Sequence, residues 1–269
     1  MQDSISTSKI KKFLFWAFGL GTLGQLISVY FIASNQKNLG TLFSLLGMLA
    51  PMVAAFLAGT PVKKIGWKLK LASKWPDYLA TWFWTVLSIF VPALIYFLIF
   101  PQHFVFKLSG SLLISLLMIF TVWTLVISLA GLGEEVGWRG ILYPYLKQKY
   151  GSTKGRILGG LIWTLWHLPL LLLMGNLTLG ERLINFLPYC INAVTTGIIW
   201  DIYYERSQTI WLPAFAHGVA DAVGGLTLPF FMLAGITPLA SFGAGPTSLF
   251  ASPFLLVLAY WLTKGEQKK

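Results

Sequence analysis

Glu134 and Glu135 stand side by side in Gly133-Glu134-Glu135-Val136-Gly137-Trp138-Arg139-Gly140, directly after an apolar run over residues 112–132. Ionised side chains at mid-bilayer cost roughly 2.5–3.5 kcal/mol each on insertion scales, so three of them at the end of such a run need a reason. If the helix continues, neighbouring residues point ~100° apart, and the two carboxylates face different ways. Glu135 and Arg139 are spaced i,i+4 with the acid first, the favourable order for an ion pair. Glu134 is left on another face, one turn from Trp138. A carboxylate among apolar and aromatic groups gains affinity for a proton by desolvation, which suits a general base or acid. One glutamate is therefore expected to serve structure and the other chemistry.

Two of the three histidines also fall in apolar runs. His103 lies beside Pro101 and Phe104 and reads as a solvated loop residue. His167 occurs in Trp163-Thr164-Leu165-Trp166-His167-Leu168-Pro169, and His217 in Ala214-Phe215-Ala216-His217-Gly218-Val219-Ala220-Asp221. His217 and Asp221 share a helix face at i,i+4. Histidines that merely bridge helices contribute ~0.6 kcal/mol each. Two histidines, an aspartate and a glutamate on three spans are poorly repaid by that alone, and a functional cluster is the better account.

The elements that must position these groups are membrane helices. The chain has 269 residues, 56% hydrophobic and 11% charged, outside the range of soluble domains. Apolar runs at 13–33, 41–59, 78–100, 111–132, 157–174, 183–204, 210–226 and 248–263 predict an all-α polytopic helical bundle of about eight transmembrane helices, the last being the shortest. The run at 13–33 exceeds a signal-peptide core and is expected to remain as a helix. With the N-terminus inside, 17 of the 20 Lys and Arg fall in cytoplasmic segments, and only Lys37, Lys107 and Arg182 lie outside, which places both termini in the cytoplasm. The +11 net charge is thus explained by topology and not by nucleic acid. On this layout His167 and His217 lie ~16 and ~13 Å along their helices from the inner surface and Glu134 ~7.5 Å from it, all in the inner half of the membrane. Gly133 and Gly137, Gly155 and Gly159, and Ala214, Gly218 and Ala222 recur at four-residue spacing and allow close helix approach.

Taken in order, Glu-Glu-x-x-x-Arg (Glu134, Glu135, Arg139), aromatic-x-x-x-His (Trp163, His167) and His-x-x-x-Asp/Asn (His217, Asp221) resemble the CPBP (Abi) family. That family includes type II CAAX prenyl endopeptidases and lysostaphin-resistance protein A-like bacterial membrane proteins. The resemblance covers residues from about 112 to 225. Trp163 stands where phenylalanine is commoner, a mild change, and Asp221 where eukaryotic prenyl proteases have asparagine. It implies an intramembrane endopeptidase, in a bacterial plasma membrane, acting on membrane-anchored or prenylated proteins. Glu134 would activate water and His167 would share or orient it. His217 with Asp221 would position the carbonyl or stabilise the tetrahedral intermediate, supported by Glu135, Arg139 and Trp163.

The chain reads as one integral membrane domain over 1–269. Accessory helices occupy 1–110, a catalytic core 111–226, and a hairpin or helix 227–269, where Pro229, Gly235, Pro238, Gly243, Gly245 and Pro246 break the pattern. A proton-coupled transporter also uses intramembrane Glu, His and Asp, but the inverted repeats and paired broken helices of that class are not seen. A non-proteolytic adaptor or bacteriocin-immunity protein is the other alternative. Zinc could be held by Glu134, His167 and His217, but there is no His-Glu-x-x-His helix, and no cofactor is expected. Asp201 reads as an interfacial helix end near Arg206, Cys190 as a packed thiol, and Trp67, Trp75, Trp200 and Trp211 as an interfacial belt.

Overall fold

Side-chain caps set where several helices begin. In a computed structural model, which describes residues 5–105, 109–173, 178–227, 231 and 248–266, Ser6 accepts a hydrogen bond from the Lys9 amide at the start of α1 (Thr7–Ala33). This satisfies one of the orphan amides of a first turn. Next come α2 (Lys37–Met48), α3 (Ala50–Leu57) with Pro51 in its first turn, and α4 (Leu71–Ile99). Ser109 caps α5 (Gly110–Met118). A π-helical turn at Ile119–Trp123 leads into α6 (Thr124–Gly137), and a second at Trp138–Leu142 into α7 (Tyr143–Tyr150). After Gly151 follow α8 (Ser152–Trp166) and α9 (Leu168–Leu173). A reciprocal capping box of Thr178 and Glu181 opens α10 (Leu179–Ser207), as its Thr-x-x-Glu spacing demands. The last are α11 (Trp211–Val219), extended by a π-helical stretch over Ala220–Thr227, and α12 (Ala251–Glu266). Among the described residues there is no strand. The prolines and glycines named between 229 and 246 lie outside the described residues.

Five helical stretches are long and apolar enough to cross a membrane: Thr7–Ala33, Lys37–Leu57, Leu71–Ile99, Gly110–Tyr150 and Leu179–Ser207. Their outward faces carry exposed Phe15, Leu98, Leu117 and Leu187, the pattern of a protein solvated by lipid, and the protein is an integral membrane protein. The run at 157–174 folds as α8 and α9, broken at His167, and those at 210–226 and 248–263 as α11 with its π extension and as α12, no single one of these α-helices reaching the ~18 residues of a full crossing.

The stretch Gly110–Tyr150 differs most from expectation. Its 41 residues make it about 60 Å long, twice the hydrocarbon thickness. The first half is lipid-exposed, but every residue over 133–143 is buried. Apolar Val136, Ile141 and Leu142 and the paired Glu135 and Arg139 are all removed from solvent here, as in a helix packed on every side. Residues 139–150 are therefore helical and not a cytoplasmic loop, and the chain turns at Gly151, whose φ of +82° favours glycine. Arg139, counted above among the inner-loop cations, is fully buried.

Small residues bring the elements together as their spacing predicts. A Cβ on Gly137 would come within 2.4–2.9 Å of Pro51 in α3, and one on Gly218 within 2.0 Å of Ser128 Oγ in α6. Asp201 is buried and takes Lys147 (2.7 and 2.8 Å) and Arg156 (2.7 Å) as partners. Arg206, the partner expected from sequence proximity, instead donates to the Leu262 carbonyl. Arg156 also reaches Glu205 and Glu266, so α7, α8, α10 and α12 are fastened by one charge cluster. Gly218→Ala should lower the melting temperature and cost about 1–3 kcal/mol by overpacking. Gly19→Ala, where nothing lies within 4 Å, should be neutral or slightly stabilising, as thermal unfolding in detergent would show.

Candidate active site

α6, α8, α11 and its π extension bring Glu134, His167, His217 and Asp221 to the wall of one cavity of about 300 Å³. The geometry starts from Glu134, which is fully buried. Its Oε2 accepts two indole N–H bonds, from Trp163 Nε1 at 2.7 Å and Trp138 Nε1 at 3.2 Å. Trp138 lies four residues on in the same helical run, and Trp163 comes from α8. The replacement of phenylalanine by Trp163 is therefore not mild: phenylalanine has no donor to give.

Glu135 lies on a neighbouring face, about 100° round the helix. Its Oε1 accepts from Arg139 Nη1 at 3.0 Å, a pair with no solvent exposure on either side. The same oxygen accepts from His217 Nδ1 at 2.9 Å. Glu135 therefore holds His217 as well as Arg139. The opposite ring nitrogen, Nε2, is left 3.4 Å from Asp221 Oδ2 and 4.0 Å from Glu134 Oε1. Asp221 is 48% exposed in its side chain and sits at the rim, which modifies the expectation of four equally buried groups.

His167 is placed by a helix break. Its amide closes the last turn of α8, and Pro169 two residues later cannot continue the amide ladder. The ring donates from Nδ1 to the Trp163 carbonyl at 3.0 Å, since a carbonyl only accepts. That fixes the tautomer and leaves Nε2 as the free acceptor edge. Trp163 thus serves twice, through its indole to Glu134 and its carbonyl to His167.

Arg139 completes the arrangement. Its Nε and Nη2 have no hydrogen-bond partner among the described residues. The guanidinium instead lies 4.7 Å from the Trp163 ring, 4.9 Å from Tyr143 and 5.2 Å from Trp200, an aromatic box that holds the cation by cation–π attraction. Trp200 also lies 4.8 Å from the His217 ring. It is buried and belongs to the site, not to an interfacial belt, because α10 runs on for seven residues beyond it and turns this face inward. Trp67 and Trp75 remain exposed.

Sequence reasoning missed Gln25, Tyr189 and Asn192, which line the same cavity. Gln25 donates from Nε2 to the Trp166 carbonyl at 2.9 Å, and Asn192 is tied to Ser248 and Ser252. They are uncharged and sit in no motif, so only their polarity inside apolar runs could have marked them. Helices α1, α4 and α12, outside the motif-bearing core, also supply cavity walls.

Among the described residues no three His, Cys, Asp or Glu side chains are grouped to hold a metal ion. Glu134 Oε2 is engaged by two indoles, and the Nδ1 atoms of both histidines are committed to protein acceptors, which leaves Glu134 Oε1 and the two Nε2 edges for water, substrate or an ion.

A helical membrane protein with a buried Glu–Glu–Arg and two-histidine centre is the class that this fold and site define. Comparison with known proteins agrees: residues 116–223 match the family model described as Type II CAAX prenyl endopeptidase Rce1-like. The chain is also 46% identical over 43 residues to CAAX prenyl protease 2 of Methanococcus maripaludis. That matched segment spans 16% of this chain and 16% of the relative. The resemblance to type II CAAX prenyl endopeptidases read from the motifs is thus shared by both comparisons.

Glu135→Gln would leave two donors, Arg139 and His217, competing for a neutral amide. Breaking one partner of a buried pair costs about 3–5 kcal/mol, so the variant should melt well below the wild type. Arg139→Lys, which keeps the charge but loses the flat face stacked in the aromatic box, should fall between the two.

Proposed function

We propose that the protein is an intramembrane endopeptidase of the CAAX prenyl protease type, acting on membrane-anchored or prenylated proteins. The observation that carries this reading is Glu134: one carboxylate oxygen is pinned by two indoles, and the other stays free of them beside His217, in a cavity shared with His167. A water between Glu134 Oε1 and His167 Nε2 would give its proton to the glutamate while its oxygen attacks the substrate carbonyl carbon. His217, braced from behind by Glu135, donates from Nε2 to the developing oxyanion, and Asp221 at the rim positions the peptide. The C–N bond then breaks, and the proton held on Glu134 passes to the leaving nitrogen, yielding a new carboxyl terminus and a new amine. This route uses the protein's own groups, and general-base activation of this kind contributes typically 10²–10⁴-fold.

Glu134→Gln keeps the shape and loses the base. It should abolish cleavage of a farnesylated CAAX peptide by the purified protein while leaving the melting temperature within a few degrees of wild type. Retained cleavage would remove Glu134 from the chemistry. Activity should also survive exhaustive chelation; stoichiometric zinc by elemental analysis, with activity lost on chelation and restored by zinc, would overturn the metal-free route.

The eight-helix layout, with both termini in the cytoplasm and the site in the inner half of the membrane, belongs to the same reading. The concentration of Lys147, Lys149, Lys154 and Arg156 around one turn supports it. In a Cys190→Ala background, a cysteine at Asp221 should react with a membrane-impermeant thiol reagent from the cytoplasmic side only.

A further inference from the structure

A hydrolase buried in lipid must be supplied with water. The apolar outer faces of its helices, set in a dry hydrocarbon core, do not provide it. A second, smaller cavity of about 120 Å³ adjoins the first and shares two of its walls, Trp84 of α4 and Tyr203 of α10. Asp77 and Arg206 also line it, six residues from the start of α4 and one from the end of α10.

Thr81 and Tyr203 line this small cavity, and their hydroxyls, Thr81 Oγ1 and Tyr203 Oη, are buried with no hydrogen-bond partner among the described residues. Buried polar groups without a protein partner are the usual sites of ordered water. The volume would hold about four waters at ~30 Å³ each. The hydroxyls belong to two polar stripes. On α4, Asp77, Thr81 and Thr85 recur every four residues and Ser88 follows. On α10, Arg206 and Tyr203 lead toward Thr196 and Asn192. Asp77 and Arg206 line the small cavity, and Thr85, Ser88, Thr196 and Asn192 the large one. Each stripe therefore runs from a charged residue near a helix end to the cavity that contains Glu134.

We propose that the small cavity between α4 and α10 is a water conduit, with Thr81 and Tyr203 as its binding groups and Trp84 and Tyr203 as the partition through which water reaches the active-site cavity. The role as a supply for hydrolysis rests on the proteolytic reading; the hydration of the cavity does not.

Two measurements on the full-length protein in lipid nanodiscs separate these. In radiolytic hydroxyl-radical footprinting, Tyr203 should be oxidised several-fold faster than Tyr143, which is equally deprived of a hydrogen-bond partner but lines neither cavity. Equal protection of both would overturn the conduit. In a Thr81→Cys, Cys190→Ala protein, a small cationic methanethiosulfonate should react at position 81. It should lower kcat for a farnesylated CAAX peptide several-fold with KM unchanged, and thiol reduction should restore the rate. That reversal also excludes misfolding as the cause. An unreactive thiol, or one whose modification leaves turnover unchanged, would defeat the supply role. If the unmodified protein cleaves no such peptide, the proteolytic reading and with it the supply role fall, while the footprint still decides hydration.

Discussion

One carboxylate oxygen, Oε1 of Glu135, holds two buried donors at the centre of this protein. Removing ions from water costs several kcal/mol each, and the attraction between them offsets that only with good geometry and further partners. Here Arg139 and His217 donate to the same atom, so a single anion anchors α6, the turn after it and α11. The rest of the guanidinium is not hydrogen-bonded but boxed by aromatic faces. Those rings are shared: Trp163 also binds Glu134, and Trp200 also packs on His217. A change at Glu135 therefore propagates to both histidine-bearing elements and, through Trp163, to Glu134.

The backbone meets the same constraint. Close packing of α3 on α6 at Gly137 and of α11 on α6 at Gly218 removes the room in which water could solvate the buried charges. That makes their mutual pairing stronger and any vacancy more costly. Between the glutamates and α7 the helix widens into a π turn at Trp138–Leu142, a feature found frequently at functional sites. The second charge cluster, around Asp201 and Arg156, ties α7, α8, α10 and α12 at the basic end of the bundle. The site is thereby held between two networks rather than by the lipid-facing helices.

Much of this was legible in the sequence. The separate faces of Glu134 and Glu135, the Glu135–Arg139 pair and the gathering of Glu134, His167, His217 and Asp221 follow from i,i+4 geometry and from the high cost of polar groups in apolar runs. The small-residue spacings point to the helix pairs that approach closely. Three things were not legible, each for a physical reason. Helix continuation through Arg139 to Tyr150 depends on burial by neighbouring helices, which hydropathy windows do not see. The Glu135–His217 bond and the Lys147–Asp201 bond join residues distant in sequence, and no local rule predicts them. Trp200, Gln25 and Asn192 carry no charge, and an aromatic near a run's end looks the same whether it faces lipid headgroups or a cavity.

Trp163 shows why residue chemistry outweighs residue class at such a site. Phenylalanine would fill the same space and present a similar face to Arg139, yet it would leave Glu134 Oε2 with Trp138 as its one indole donor. Two indole N–H groups orient the carboxylate and partly replace its hydration, and they do so without becoming proton acceptors, because indole nitrogen is a donor only. In the proteolytic reading this matters for where the proton goes. A proton taken from water by Glu134 cannot pass on to either tryptophan, so it stays on the carboxylate until the leaving nitrogen claims it. A water or hydroxyl in place of either indole would open a second route for that proton. Donor-only neighbours thus do for Glu134 what Glu135 does for His217: they fix an orientation and restrict its chemistry to the cavity side.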